Sequence, residues 1–443
     1  MAKAKPAVAF WYRQNGGHLK MRVLQDHCEW AITSEFGPCP SNPENWMHFH
    51  HACLREPPWA PKVGASQKLE GDEMAPKRPN GAGAFLKPVE PPAPSGPSPT
   101  ELYAALDLGT NSCRMLIAQP KGNQFHVIDS FSKSVQLGLG LEASGSLSGA
   151  SMGRTLQALR ICRKKLDAHN VRRMRLVATE ACRRAKNGAQ FMRRVREETG
   201  LRLEVIEPEE EARLAVISCA PLVSTKTQQL LVVDIGGGST ELVWIDLSNV
   251  PKRERPRAIM RLHQGFKPKE SPFPHAKVVD WISVPLGVAT LRDHFNDVPD
   301  DAGRFALMSW FFEENLGSFA PYRDIQDAEG FQIIGTSGTV TTVAASHLGL
   351  RRYDRSKVDG LRMTSDQIDT VVHSYLAMGP EGRRADPRIG RDRHALIMSG
   401  AAILQALLRV WPTTRLSVAD RGLREGLLYA QMSADGVLED GVY

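Results

Sequence analysis

The chain has 443 residues, enough for more than one domain, because single cores stop growing at roughly 250–300 residues. Its composition, 42% hydrophobic and 24% charged, is that of an ordinary folded protein, and no apolar run approaches the ~18 residues of a spanning helix, which argues against disordered and membrane-embedded classes. A net charge of +7 gives a weak general attraction to polyanions, and seven scattered cysteines argue against a disulfide framework, so a cytoplasmic protein with no membrane partner and no specific nucleic acid is expected.

Residues 1–100 differ from the rest. Tryptophans and histidines there follow no clear period, and Met74–Pro99 holds eight prolines, a composition that reads as a flexible, partly polyproline II linker. The segment 1–100 is expected to be a disordered or accessory extension, with Met74 an alternative start. Cys28, Cys39, His48, His50, His51 and Cys53 cluster in it, but not as the paired knuckles a zinc site needs.

Regular patterning begins at Leu102. Two apolar runs, Tyr103–Leu108 and Met115–Ala118, predict a hairpin, followed by a strand near Phe125–Val135 and an amphipathic helix from about Ser148 to His169 with Met152, Leu156, Leu159 and Leu166 inward. A strand at Arg175–Ala178, one helix through Glu180–Glu198 and a strand at Leu203–Ile206 come next. Pro208 and the acids after it mark a helix entry. A second hairpin, Leu230–Ile245, leads into a polar, basic loop from Ser248 to about His275 and a strand at Trp281–Pro285. Further helices are expected near Arg304–Leu316, Gly338–Leu348, Ser365–Ala377, His394–Val410 and Leu423–Gln431, with strands at Phe331–Gly335 and Arg415–Ala419. The order of three strands, helix, strand, helix occurs twice, so an α/β protein of two related halves is predicted, 101–222 and 223–443, facing one cleft.

The two hairpins share a loop chemistry. In Asp107-Leu-Gly-Thr-Asn-Ser112 and Asp234-Ile-Gly-Gly-Gly-Ser-Thr-Glu241 an apolar strand ends in a carboxylate followed by small residues. Glycine lets backbone approach an anion closely, and successive N–H groups form an anion nest, so Gly109, Gly236, Gly237 and Gly238 are candidate phosphate binders. Thr110, Asn111, Ser112, Ser239 and Thr240 can add side-chain contacts, as can Thr339 beside Gly338. Asp107, Asp234 and Glu241 sit where carboxylates could hold Mg²⁺ directly or through water, or merely cap turns. Glu209, Glu210 and Glu211 look alike as acids in a helix's first turn. Cys113 reads as a packed strand residue, because no base is evident beside it.

With Gly335-Thr-Ser-Gly-Thr339 and Glu210-Glu-Ala-Arg-Leu214, these loops resemble the signatures of the exopolyphosphatase and guanosine pentaphosphate phosphatase family, from Leu102 to about Gln431. The resemblance implies a two-lobe actin-like (ribonuclease H-like) ATPase fold, with duplicated mixed-sheet domains flanking a central cleft. It selects Glu211 as the base that activates water, and Arg183 as a phosphate-binding arginine. The longer family members continue past the stretch matching Asp420–Glu425 into a helical domain related to HD phosphohydrolases, so a short form is expected. It further implies a Mg²⁺-dependent hydrolase that removes terminal phosphate from inorganic polyphosphate or the 5′ phosphate of guanosine pentaphosphate, and a homodimer. Polyphosphate is the first choice, because Arg172-Arg173, Arg183-Arg184 and Arg193-Arg194 crowd basic groups into the first lobe. The alternatives are an ATP-dependent small-molecule kinase and a non-catalytic nucleotide-binding scaffold.

Overall fold

The computed structural model describes residues 101–266, 275–317, 319, 330–390 and 393–438, and near the N-terminus the backbone of three strands. These are β1 (Val8–Arg13), β2 (Leu19–Gln25) and β3 (Cys28–Ala31), which pair antiparallel in that order, a meander the sequence reading did not anticipate. The proline-rich segment and the cluster from Cys39 to Cys53 lie outside the described residues. The chain divides at Pro88 and Val89 into two units, of which the second carries everything that follows.

In that unit the duplication appears as two sheets with the same core. The first lobe has β4 (Tyr103–Leu108), β5 (Ser112–Lys121), β6 (Gln124–Ser134), β7 (Arg173–Ala178) and β8 (Glu204–Val205) in the order β6-β5-β4-β7-β8. The second has β9 (Gln229–Ile235), β10 (Thr240–Asp246), β11 (Lys277–Val284), β12 (Phe331–Thr336), β13 (Arg362–Met363) and β14 (Leu416–Ala419) in the order β11-β10-β9-β12-β14-β13. In each, an antiparallel meander of three strands is extended by two parallel strands reached through helical crossovers, the topology of an actin-like lobe, and in the second the short β13 adds an antiparallel edge. The central strands are apolar on both faces, as sheets covered on both sides require.

Two clusters of buried side chains explain how the lobes are joined. One fills the far side of the first lobe, where the helices Gly149–Ala168 and Gly188–Thr199 lay Leu156, Leu159, Phe191 and Val195 against Leu106, Met115 and Ile117. The other is shared: Ala105 and Leu116 of the first sheet and Val232 and Val243 of the second lie in one cluster with Leu214 and Ile217 of the helix Pro208–Ser218 and Leu427 and Leu428 of the helix Leu423–Ala434. These two helices cross in close contact. A Cβ at Gly426 would fall 2.0 Å from the Leu214 carbonyl oxygen, so only glycine fits. Residues at the N-termini of both helices line the cleft between the sheets.

Two expectations need correction, and two features were not foreseen. The helix drawn through Glu180–Glu198 is two, Glu180–Arg184 and Gly188–Thr199, because the chain turns at Ala185–Asn187 and brings Gly188 so near Cys182 that a Cβ would meet its carbonyl oxygen at 2.0 Å. The stretch after Ser248, expected as a loop, is helical over Arg255–Met260, with Pro256 in the first turn, where proline is well tolerated. The helix Val288–His294 was not foreseen, and neither was the kink at Gly379 and Pro380 inside Ser365–Ala385.

Candidate active site

The two glycine loops share one backbone scheme. Gly109 N–H donates to Ser112 O at 2.9 Å, and Gly236 N–H donates to Ser239 O at the same 2.9 Å. In the first lobe the loop carbonyls are tied by the chain leaving β6: Val135 and Gln136 N–H donate to Asn111 O, and Gly138 N–H to Thr110 O. In the second they are tied by the chain leaving β11: Gly287, Val288 and Ala289 N–H donate to the carbonyls of Gly238, Gly236 and Gly237. With the carbonyls occupied, the N–H groups of Gly237 and Gly238 have no protein acceptor among the described residues, the condition an anion nest requires.

The loops meet face to face. A Cβ at Gly238 would lie 2.5 Å from Thr110 Oγ1 and 2.7 Å from Glu180 Cγ, so the bare backbone lets the second lobe rest on the first. Thr110 Oγ1 is buried with no hydrogen-bond partner, one of two such side-chain atoms among the described residues. A hydroxyl without a partner at this junction has both its donor and its acceptor capacity unused.

Around the loops the cleft wall includes Asp107, Gly109 to Ser112, Glu211, Asp234, Gly236 to Ser239, Gly338 and Thr339, most of the residues picked out by sequence. Three do not line it. Thr240 is fully buried, its hydroxyl donating to Leu286 O at 2.8 Å, so its side chain is unavailable to a ligand. Glu241 is buried behind the wall, its Oε1 accepting from Ser283 Oγ at 2.8 Å. Arg183, expected as a phosphate clamp, donates instead to Ile206 O and Glu180 Oε2, each at 2.6 Å, and to Glu211 Oε2 at 3.4 Å from both Nη atoms.

Charge distinguishes the halves. Asp107 faces Arg114 across β4 and β5, whereas Asp234 faces Glu241 across β9 and β10. Burial raises the Asp107 carboxyl above its ordinary value, opposed by the Arg114 cation, and burial lowers Arg114 in turn. Asp234 is pushed up to about 8 by burial and by repulsion from Glu241 and Asp107, with Arg114 a lesser opposing cation. Glu241 is pushed up to about 7 by burial, against the hydrogen bonds of Ser239 and Ser283. Glu211 is raised well above the carboxylate range by burial and by Glu241, with Arg183 pulling the other way. Desolvated acids repelling one another form a hard-oxygen donor set short of a cation, which fits Mg²⁺. Among the described residues no three His, Cys, Asp or Glu side chains group closely enough to hold a metal ion by themselves.

Sequence reasoning missed the cations of the cleft. Arg114, Arg393, Arg421 and Arg424 all line it. Arg114 could have been found two residues beyond Ser112, in the position that Glu241 occupies relative to Ser239; Arg393 carries no signal beyond a basic run. The basic crowd of the first lobe is largely ion-paired away from the cleft: Arg173 with Glu101 and Asp435, Arg184 with Glu142, Arg194 with Glu198. Ser337, which caps the helix Gly338–His347 at the cleft, holds φ 138°, a positive value rare outside glycine and of the kind functional sites retain. Cys113 is fully buried, its thiol raised by contact with Cys162 and by burial, which suits packing and not attack.

A sequence model of the Ppx/GppA phosphatase family matches residues 116–435. The chain belongs to the Ppx/GppA phosphatase family. Its class of chemistry is accordingly that of a phosphatase. The crystal structure of the Aquifex aeolicus family member is 29% identical and superposes with a TM-score of 0.59 over 76% of this chain and 98% of that one. A structural study of the Aquifex aeolicus PPX-GPPA enzyme gives 30% identity and a TM-score of 0.58 over 74% and 99%. The crystal structure of an exopolyphosphatase from Cytophaga hutchinsonii, 22% identical, shares the fold with a TM-score of 0.64 over 76% and 100%. Among the described residues no helix of the chain is long and apolar enough to cross a membrane.

Proposed function

We propose that this Ppx/GppA phosphatase hydrolyses the terminal phosphoanhydride of a linear polyanion, inorganic polyphosphate in first place and the 5′ end of guanosine pentaphosphate in second. The carrying observation is Glu211, a largely buried carboxylate in the first turn of the helix Pro208–Ser218, on a cleft wall shared with both glycine loops. Free loop N–H groups cradle the terminal phosphate, and Thr110 supplies its unused hydroxyl. Arg114, Arg393 and Arg424 line the cleft with Arg421, which Asp359 holds at 3.0 Å, and this lining supports a repeating anion better than the arginines of the outer surface do.

Glu211 takes a proton from water as the water oxygen bonds to the terminal phosphorus; the P–O–P bond breaks and its electron pair leaves with the shortened chain. Asp234, on the cleft wall, would hold Mg²⁺, with Glu241 behind the wall contributing through water, and the bound ion would supply neutralisation of the charge on the transferring group.

The test is phosphate release with Mg²⁺ from long polyphosphate, guanosine pentaphosphate, and ATP with common acceptors. Release from either of the first two supports a hydrolase and ranks its substrates; ADP formation only with an acceptor overturns it in favour of a kinase. Glu211→Gln should lower turnover roughly 10²–10⁴-fold while inorganic phosphate still binds, since that is the span of general-base catalysis. Activity within a few-fold of wild type removes Glu211 from the role.

A further inference from the structure

The guanidinium of Arg183 is held by three acceptors at once. Nη1 donates to Ile206 O at 2.6 Å and Nη2 to Glu180 Oε2 at 2.6 Å, while Oε2 of Glu211 sits in the fork, 3.4 Å from each. These contacts use all four Nη hydrogens. A planar guanidinium with every Nη direction committed acts as a bracket for the groups around it.

Glu180 secures the side of that bracket opposite Ile206. It lies in the first turn of Glu180–Arg184, only 7% exposed, on the cleft wall. Its Oε1 stands 3.5 Å from Arg184 Nε, and Arg184 is itself tied to Glu142 at 2.6 Å, so the carboxylate is braced from behind. Its stem lies against Gly238, where a Cβ would come within 2.7 Å of Cγ. Glu180 therefore touches the base-holding arginine and the glycine loop of the opposite lobe together.

We infer that Glu180 is a positioning residue for hydrolysis: by fixing Nη2 of Arg183 it anchors Oε2 of Glu211 and leaves Oε1 for the attacking water. The inference rests on the role proposed above for Glu211. Without Glu180, Nη2 has no fixed partner but Glu211 itself, and guanidinium and carboxylate can rotate together. A base misplaced by about 1 Å loses on the order of 10²-fold in rate. Because Glu180 also lies under Gly238, withdrawal of the second-lobe loop removes one of the surfaces confining it, which links base alignment to lobe closure.

The experiment measures kcat and KM separately on long polyphosphate with Mg²⁺ for wild type, Glu180→Gln, Glu211→Gln and the double variant, with calorimetric binding of inorganic phosphate alongside. Glutamine keeps the shape of Glu180 and loses its charge. The expected result is a kcat lowered about 10- to 100-fold with KM and phosphate binding within about 3-fold, and no further loss when Glu180→Gln is added to Glu211→Gln, as residues acting as one unit are non-additive. Arg183→Lys, which keeps the charge but cannot span three acceptors, should show the same kcat signature, and it serves if thermal melting shows Glu180→Gln to be misfolded. A raised KM with kcat intact overturns the inference, because Glu180 or Arg183 would then act on substrate. So does wild-type kcat, or losses that multiply in the double variant. An inactive Glu211→Gln beside a fully active Glu180→Gln removes this inference alone; an active Glu211→Gln removes the base assignment and this inference with it.

Discussion

The two glycine loops are copies in backbone and opposites in charge. Gly109 and Gly236 make the same turn to Ser112 and Ser239, and in both loops the carbonyls are tied by the chain that leaves the third strand. Yet the residue facing the first aspartate is Arg114 in one half and Glu241 in the other. Duplication supplied two anion nests, and divergence at one cross-strand position made the first lobe a neutral pair that can meet phosphate and the second a doubly acidic pair that calls for a cation. Arg114 is the main charge opposing the upward shift of Asp107, whereas at Asp234 it is outweighed by repulsion from Glu241 and Asp107, and that carboxyl rises to about 8.

The sharpest way to break this contrast is to neutralise equivalent acids in the two lobes. Asp234→Asn or Glu241→Gln should lower turnover roughly 10³-fold and abolish the response to Mg²⁺, the scale of a metal's charge stabilisation. Asp107→Asn should cost at least tenfold less, because Arg114 already balances it. Equal losses in a Mg²⁺ titration of the three variants would dissolve the asymmetry. On the other side, Arg114→Gln should raise KM for polyphosphate about 10- to 100-fold, as loss of a charge-assisted contact does, and leave the Mg²⁺ half-saturation unchanged. A shifted Mg²⁺ dependence would place Arg114 with the metal side.

Much of this was legible beforehand. The hairpins, the glycine loops and the doubled strand order are written in local signals, an apolar run, a carboxylate and a small-residue turn, which survive without knowledge of the fold. What could not be read was contact across the chain. Whether Arg183 faces phosphate or Glu211 depends on where Ile206 and Glu180 lie after folding. Thr240 looks like its neighbour Ser239 until the Leu286 carbonyl takes its hydroxyl. Arg393 enters the cleft from some 150 residues beyond the nearest glycine loop, with Nη1 donating to Gly338 O at 3.1 Å. The helix Val288–His294 escaped notice because Gly287, with no side chain, opens it, and the carbonyls it serves belong to a distant loop.

A third test reads the charge contrast without substrate. Asp234 and Glu241 have folded values near 8 and 7, above the 3.8 and 4.5 ordinary for these acids. An acid raised in the folded state binds more protons folded than unfolded, so its contribution to stability is complete below about pH 4 and is lost as pH climbs to 7–8. The acids lowered by ion pairs, among them Asp129, Glu198, Glu210, Asp301 and Asp386, act in the opposite sense, but only below their ordinary value. In EDTA, the melting temperature should therefore fall by roughly 5–10 °C between pH 5 and pH 8. Saturating Mg²⁺ should flatten that slope, and Asp234→Asn should flatten it without Mg²⁺. A metal-free melting temperature that stays level or rises over this interval would mean the acidic pair is relieved by something other than a cation.

The smallest effect is expected where the lobes are tied rather than where they react. The helix Leu423–Ala434 begins beside Arg421 and Gly422 on the cleft wall, and just past its end Asp435 Oδ2 accepts from Tyr103 Oη at 2.8 Å and from Arg173 Nη1 at 2.9 Å on the first lobe. Asp435 and Arg173 keep 25% and 36% of their side chains exposed, so the pair contributes little to stability, as solvated ion pairs do. Asp435→Asn should accordingly lower the melting temperature by about 1–3 °C and leave kcat within twofold. A tenfold loss of kcat at unchanged stability would instead make this helix a lever, transmitting the position of the first lobe to the arginines at its other end, and the two halves would then differ in motion as well as in charge.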